Sequence, residues 1–94
     1  MSTLSLKIKN ETGLHARPAT LLAKTAQEYS CDIVVHHAGK SANAKSLISI
    51  LALGVSCGEE ISVDAEGAQA EDALKAIREL VESDFEVAKF TVSD

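Results

Sequence analysis

Leu4, Leu6 and Ile8 alternate with Ser5, Lys7 and Lys9, a period of two that predicts a strand with one buried and one wet face. Asn10-Glu-Thr-Gly13 interrupts it with turn-forming residues. Over residues 16–29 the apolar positions Ala19, Leu22, Ala23 and Ala26 recur at helical spacing. Alternation returns over 31–37, with Ile33 and Val35 on one face. Ala38-Gly39 then predicts a tight turn into a short strand over 40–43.

Ser46 precedes Leu47-Ile-Ser-Ile-Leu-Ala-Leu53 and Gly54 follows it. A serine cap and a glycine stop bracket a helix of about two turns, although the β-branched Ile48 and Ile50 keep a strand open there. Residues 60–66 alternate again, turning Ile61, Val63 and Ala65 to the core, and Gly67 ends them. Over about 70–83, Ala70, Ala73, Leu74, Ile77, Leu80 and Val81 form one apolar stripe opposite a charged face. No good cap precedes this helix, but Glu71 and Asp72 suit its dipole. The order β-α-β-β-α-β-α predicts an α+β fold. It is a two-layer open-faced sandwich, with a four-stranded antiparallel sheet and three helices on one face. Residues 1–94 read as one domain. In the tail, 85–94, Phe85, Val87, Phe90 and Val92 either pack or fray.

Composition narrows the function. The chain has 94 residues and a net charge of -5. No stretch approaches the roughly 20 apolar residues of a membrane span, and the first residues lack the basic and apolar parts of a signal peptide. A cytoplasmic protein without membrane insertion is expected. The acidic balance opposes general nucleic-acid binding, and the three aromatic residues, one Tyr and two Phe, supply no base-stacking platform. Cys31 and Cys57 make no CxxC pair and read as buried thiols.

The candidate chemistry lies in Gly13-Leu-His-Ala-Arg-Pro-Ala19. His15 falls just before the first helix, so the amides of Ala16 and Arg17 belong to the unpaired donors of its first turn. With the positive end of the helix dipole they suit an anion. Pro18 fits that turn but disfavours the α conformation at Arg17, loosening the chain there. Imidazole ordinarily titrates near 6.5, so a neutral, nucleophilic form exists at neutral pH. Arg17 adds a donor fork that matches phosphate oxygens. A P–N bond to imidazole stores transfer potential. Nothing here resembles a Walker loop or a paired-carboxylate site. The residues alone equally suit a histidine that only caps or packs.

Gly13-Leu-His-Ala-Arg-Pro-Ala19 closely resembles the active-site motif of the HPr family, histidine-containing phosphocarriers of the bacterial sugar phosphotransferase system. Lys45-Ser-Leu-Ile-Ser-Ile-Leu-Ala-Leu-Gly54 is similar to the family's regulatory-serine segment. The resemblance covers roughly residues 4–85 in the same element order. It implies that enzyme I, phosphorylated by phosphoenolpyruvate, hands its phosphoryl group to Nδ1 of His15, and that IIA components of sugar permeases receive it next. Arg17 would stabilise the phosphate, with the Ala16 and Arg17 amides as donors. Such a protein is a carrier in a relay, not an autonomous enzyme, and needs no cofactor or metal; a monomer is expected.

In some relatives a serine kinase/phosphorylase modifies the residue matching Ser46; otherwise Ser46 is simply a helix cap. Leu47, Ile48, Leu51 and Thr20 are expected to border His15 and form a shared docking face, with Leu51 the one most apt to be buried. His36 and His37 point to opposite strand faces and are expected to face solvent without sharing a metal. Ser49 stands where many relatives have Gly, and Ile48 and Leu51 where Met is common. A nitrogen-type or regulatory phosphocarrier, acting as a signalling module, is the alternative. A hydrolase lacks its base, nucleophile and orienting group.

Overall fold

The alternating segments pair as strands in the computed structural model, which describes residues 2–9, 13–83 and 85. β1 (Ser2–Lys7) runs antiparallel to β4 (Glu60–Gly67), from Ser2 opposite Ala65 to Lys7 opposite Glu60. β2 (Cys31–His37) lies on the other side of β4, with Ile33 opposite Ala65 and Val35 opposite Val63. β3 (Lys40–Asn43) closes the order β1-β4-β2-β3. The β2–β3 hairpin turns through Ala38 at φ 51° and Gly39 at φ 82°. Two successive left-handed residues give a turn whose twist matches that of the strands.

The period of two decides which side chains are buried. Leu6, Ile33, Val35, Ala42, Ile61, Val63 and Ala65 enter the core, while Thr3, Ser5, Asp32 and Glu66 stay exposed on the other face. The helices cover the apolar face. α1 (Ala16–Gln27) contributes Ala19, Leu22, Ala23 and Ala26, and α3 (Ala70–Glu82) contributes its whole apolar stripe. Each fully buried Leu or Ile in such a core contributes about 1.5–3 kcal/mol. α2 (Leu47–Ala52) is one short helix, so the strand left open by Ile48 and Ile50 is not formed. Ser46 makes the difference: its hydroxyl accepts from the Ser49 amide at 3.4 Å while its carbonyl accepts from Ile50.

Several expectations are corrected. Arg17 is helical despite Pro18, because Pro18 sits in the first turn, where no amide is needed, and the Ala19 amide closes that turn on the His15 carbonyl at 2.9 Å. Leu51 is 39% exposed, and Leu47 instead packs partly against the core; helical rotation buries Ile50 and Leu53 and carries Leu51 outward. Cys31 is buried but Cys57 is exposed, since it stands on the turn before β4. The histidines are less free than expected. His36 pairs with Asp64, and the His37 side chain is only 10% exposed, held by Glu59 and the Glu60 carbonyl. Of the tail, Phe85 is buried and its amide donates to the Leu80 carbonyl at 2.9 Å. The expectations for Val87, Phe90 and Val92, and for the breaker at 10–12, lie outside the described residues.

Candidate functional site

Gly13 has φ 61°, and a Cβ added there would lie 2.4 Å from the Val55 carbonyl oxygen and 2.8 Å from the Ser56 Cα. The position therefore requires glycine for both its backbone and its close neighbour. The next amide, that of Leu14, donates to the same Val55 oxygen at 3.0 Å, and the Leu14 side chain is buried. Core burial and this bond deliver the chain to the start of α1.

His15 is the N-cap of α1, with extended backbone at φ −78° and ψ −172°. Its carbonyl joins the helix, but its imidazole makes no capping hydrogen bond and is exposed. The Ala16 and Arg17 amides have no carbonyl one turn earlier in the helix to bind, and Pro18 has no amide at all. An exposed imidazole thus stands beside donors and the positive end of a twelve-residue helix. Arg17 is exposed and forms no ion pair among the described residues, leaving its guanidinium available to an anion.

Tethers at both ends set the direction of α2. Leu14, before α1, is bonded to Val55, after α2. Gln27, the last residue of α1, donates through Nε2 to the carbonyl of Lys45, before α2, at 2.9 Å. The Lys45 ammonium also donates to the Tyr29 carbonyl at 2.8 Å. The two helices are therefore antiparallel. Leu51 lies toward the His15 end, whereas Ser46 and Leu47 lie toward the far end of α1, which is roughly 18 Å long. Ile48, 80% exposed, and Leu51 are the large apolar side chains that α2 presents outward. Thr20 is half-buried one turn into α1, and its hydroxyl donates to the Ala16 carbonyl at 2.6 Å.

A second polar group occupies the open face of the sheet, away from the helices. Asp64 accepts from the Thr3 hydroxyl at 2.8 Å and pairs with His36 Nε2 at 2.8 Å. These bonds, Thr3 first, lower its carboxyl below the ordinary range. Among the described residues no group of three or more His, Cys, Asp or Glu side chains could hold a metal ion, and no helix is long and apolar enough to cross a membrane. The contribution of Val55 to the site had no sequence signal, because strand-to-strand and loop-to-loop proximity is invisible to local periodicity.

The fold is an open-faced sandwich with an exposed histidine at the start of its first helix. The family model described as the PTS HPr component phosphorylation site matches residues 3–83, and the chain belongs to this HPr family of phosphocarrier proteins. Solved relatives agree. An HPr of Thermoanaerobacter tengcongensis is 47% identical with a TM-score of 0.88, over 90% of this chain and 96% of that one. The phosphocarrier protein HPr of Bacillus anthracis is 35% identical with a TM-score of 0.82, over 85% and 95%. Crh of Bacillus subtilis, a catabolite repression protein solved as a swapped dimer, is 32% identical with a TM-score of 0.71, over 89% and 97%.

Proposed function

We propose that this chain carries phosphoryl groups in a sugar phosphotransferase relay, with His15 as the acceptor. The observation that carries this reading is the exposed His15 imidazole, uncommitted to capping although it stands at the N-cap. Nδ1 of the neutral ring attacks the phosphorus held on phosphorylated enzyme I. The P–N bond on enzyme I breaks as the new one forms, and the proton displaced from the acceptor ring balances the one gained by the leaving ring. Arg17 and the amides of Ala16 and Arg17 offset the charge on the phosphoryl oxygens. A nucleophile of a IIA component then attacks the same phosphorus, the P–N bond to His15 breaks, and the ring takes up the proton that the new acceptor gives up. The protein works in the cytoplasm as a monomer, without a cofactor.

Ile48 and Leu51, with Thr20 and the half-buried Leu47, supply the apolar surface on which both partners dock in turn. Apolar patches of this kind mark association sites. Ser46 is proposed as a target of a serine kinase/phosphorylase. A phosphate there would place negative charge beside the docking surface and oppose an acidic partner.

Intact-mass spectrometry after incubation with phosphoenolpyruvate and purified enzyme I tests the reading. One acid-labile phosphoryl adduct, absent from His15→Ala and discharged by a IIA protein, is expected. No adduct with either a sugar-type or a nitrogen-type enzyme I would overturn it in favour of a regulatory module.

A further inference from the structure

The Val55–Ser56 peptide unit is held from both sides. Its carbonyl accepts from the Leu14 amide at 3.0 Å, and its N–H donates to Oε1 of Glu59 at 2.8 Å. A peptide unit is a near-rigid plane, so an anchor on its N–H sets the direction of its carbonyl. Glu59 is anchored in turn. The same Oε1 lies 3.3 Å from Nε2 of the largely buried His37. The Glu59 amide donates to the Ser56 carbonyl at 3.1 Å, and its carbonyl accepts from Ile8 at 2.9 Å. The Gly58 amide completes the turn by donating to the Ile8 carbonyl at 2.7 Å.

We infer that Glu59 is a positioning residue for His15, acting through the Val55–Ser56 peptide and Leu14. The bonds form a continuous line, from carboxylate to Ser56 N–H, across the peptide to the Val55 carbonyl, and from there to the amide next to His15. A negative charge at one end polarises the peptide and strengthens its carbonyl as an acceptor. Gly13 brings its backbone against that same oxygen, so a rotated peptide would disturb both residues that lead into the N-cap. The partners of Glu59 are Ser56, His37 and Ile8, and it acts on His15 only through the peptide. It fixes where the ring and the first-turn amides sit, and small misplacements of that kind slow transfer steeply.

This inference rests on His15 being the phosphoryl acceptor, and two readouts separate them. Hydrogen exchange of the Leu14 amide in the free protein reports the anchor without any partner. Glu59→Ala is expected to speed that exchange about tenfold. It should also slow single-turnover transfer from phosphorylated enzyme I about tenfold, with the Kd for enzyme I unchanged. Glu59→Gln keeps an oxygen that can accept from Ser56 and should restore most of both. Unchanged Leu14 exchange in Glu59→Ala overturns the inference, as does altered exchange with wild-type transfer. Failure of Glu59→Gln to restore either readout also overturns it. If the wild type accepts no phosphoryl group while Leu14 exchange responds as expected, the anchor stands and the acceptor reading falls.

Discussion

The amide of Leu14 and the carbonyl of Val55, far apart in sequence, meet in a 3.0 Å hydrogen bond that joins the entry of α1 to the exit of α2. Both ends of the bond are structurally committed: Leu14 and Val55 are buried, and Gly13 leaves no room for a side chain beside it. His15 inherits its place from this junction.

Gly13→Ala forces a Cβ into the Val55 oxygen and a side chain onto a left-handed backbone. The left-handed strain alone is of order 1–3 kcal/mol, and the close contact adds to it. Urea denaturation should show a loss of at least that size, and a stability equal to wild type would show that the junction yields without cost.

Arg17→Ala removes an exposed side chain with no ion pair among the described residues, so folding stability should change by less than about 0.5 kcal/mol. Transfer from phosphorylated enzyme I should nonetheless slow by the equivalent of about 1–3 kcal/mol, the worth of a lost charge-assisted contact. Stopped-quench kinetics beside a thermal melt separate the two effects.

Ile48 and Ile50 are two residues apart and opposite in environment, 80% exposed and fully buried. Ile50→Ala should cost about 2–5 kcal/mol of stability. Ile48→Ala should leave stability within about 0.5 kcal/mol of wild type while weakening enzyme I binding in calorimetry. Unchanged affinity would remove Ile48 from the docking surface.

Ser46→Ala deletes the α2 cap, and because the bond to Ser49 is long at 3.4 Å the loss should fall near the lower end of about 0.5–2 kcal/mol. Ser46→Asp keeps an acceptor and should hold stability, yet slow transfer through its charge. Equal kinetics for the two variants would leave Ser46 a cap alone.

Asp64 supplies the pH dependence. Its folded carboxyl titrates below the ordinary value because Thr3 and His36 bond its charged form, so its stabilising effect is present above the unfolded carboxyl pKa and is lost as pH falls through the lower folded one. Between about pH 5 and pH 3, near the ordinary aspartate value of ~3.9, the melting temperature of wild type should fall more steeply than that of Asp64→Asn. Parallel curves would show that the Thr3–Asp64–His36 line contributes nothing in solution.

The strands and helices were legible because each buries one face, and burial writes a period of two or about 3.6 into the chain. Val63 and Ile77 announce their surroundings in this way. Ser46 and Gly54 likewise marked the ends of α2, since a cap acts within a few residues of itself. The motif around His15 was legible locally too: where a glycine, a histidine and an arginine meet the start of a helix depends only on its first turn. Short elements were harder. Periodicity over six residues cannot separate Leu51, exposed, from Leu47, partly packed on the core, and a strand pattern cannot show that His37 finds Glu59 on another element.

Those last facts belong to the packing of distant segments. The Gln27–Lys45 bond ties the end of α1 to the start of α2, and the Leu14–Val55 and Ser56–Glu59 bonds tie the His15 segment to the turn before β4, a pairing with no mark in the sequence. Local patterning determined the elements, the cap of α2 and the place of His15 at the start of α1, because those depend on neighbours along the chain. Tertiary structure alone decided what holds that histidine in place, because a hydrogen bond between remote loops imposes no periodicity on either of them.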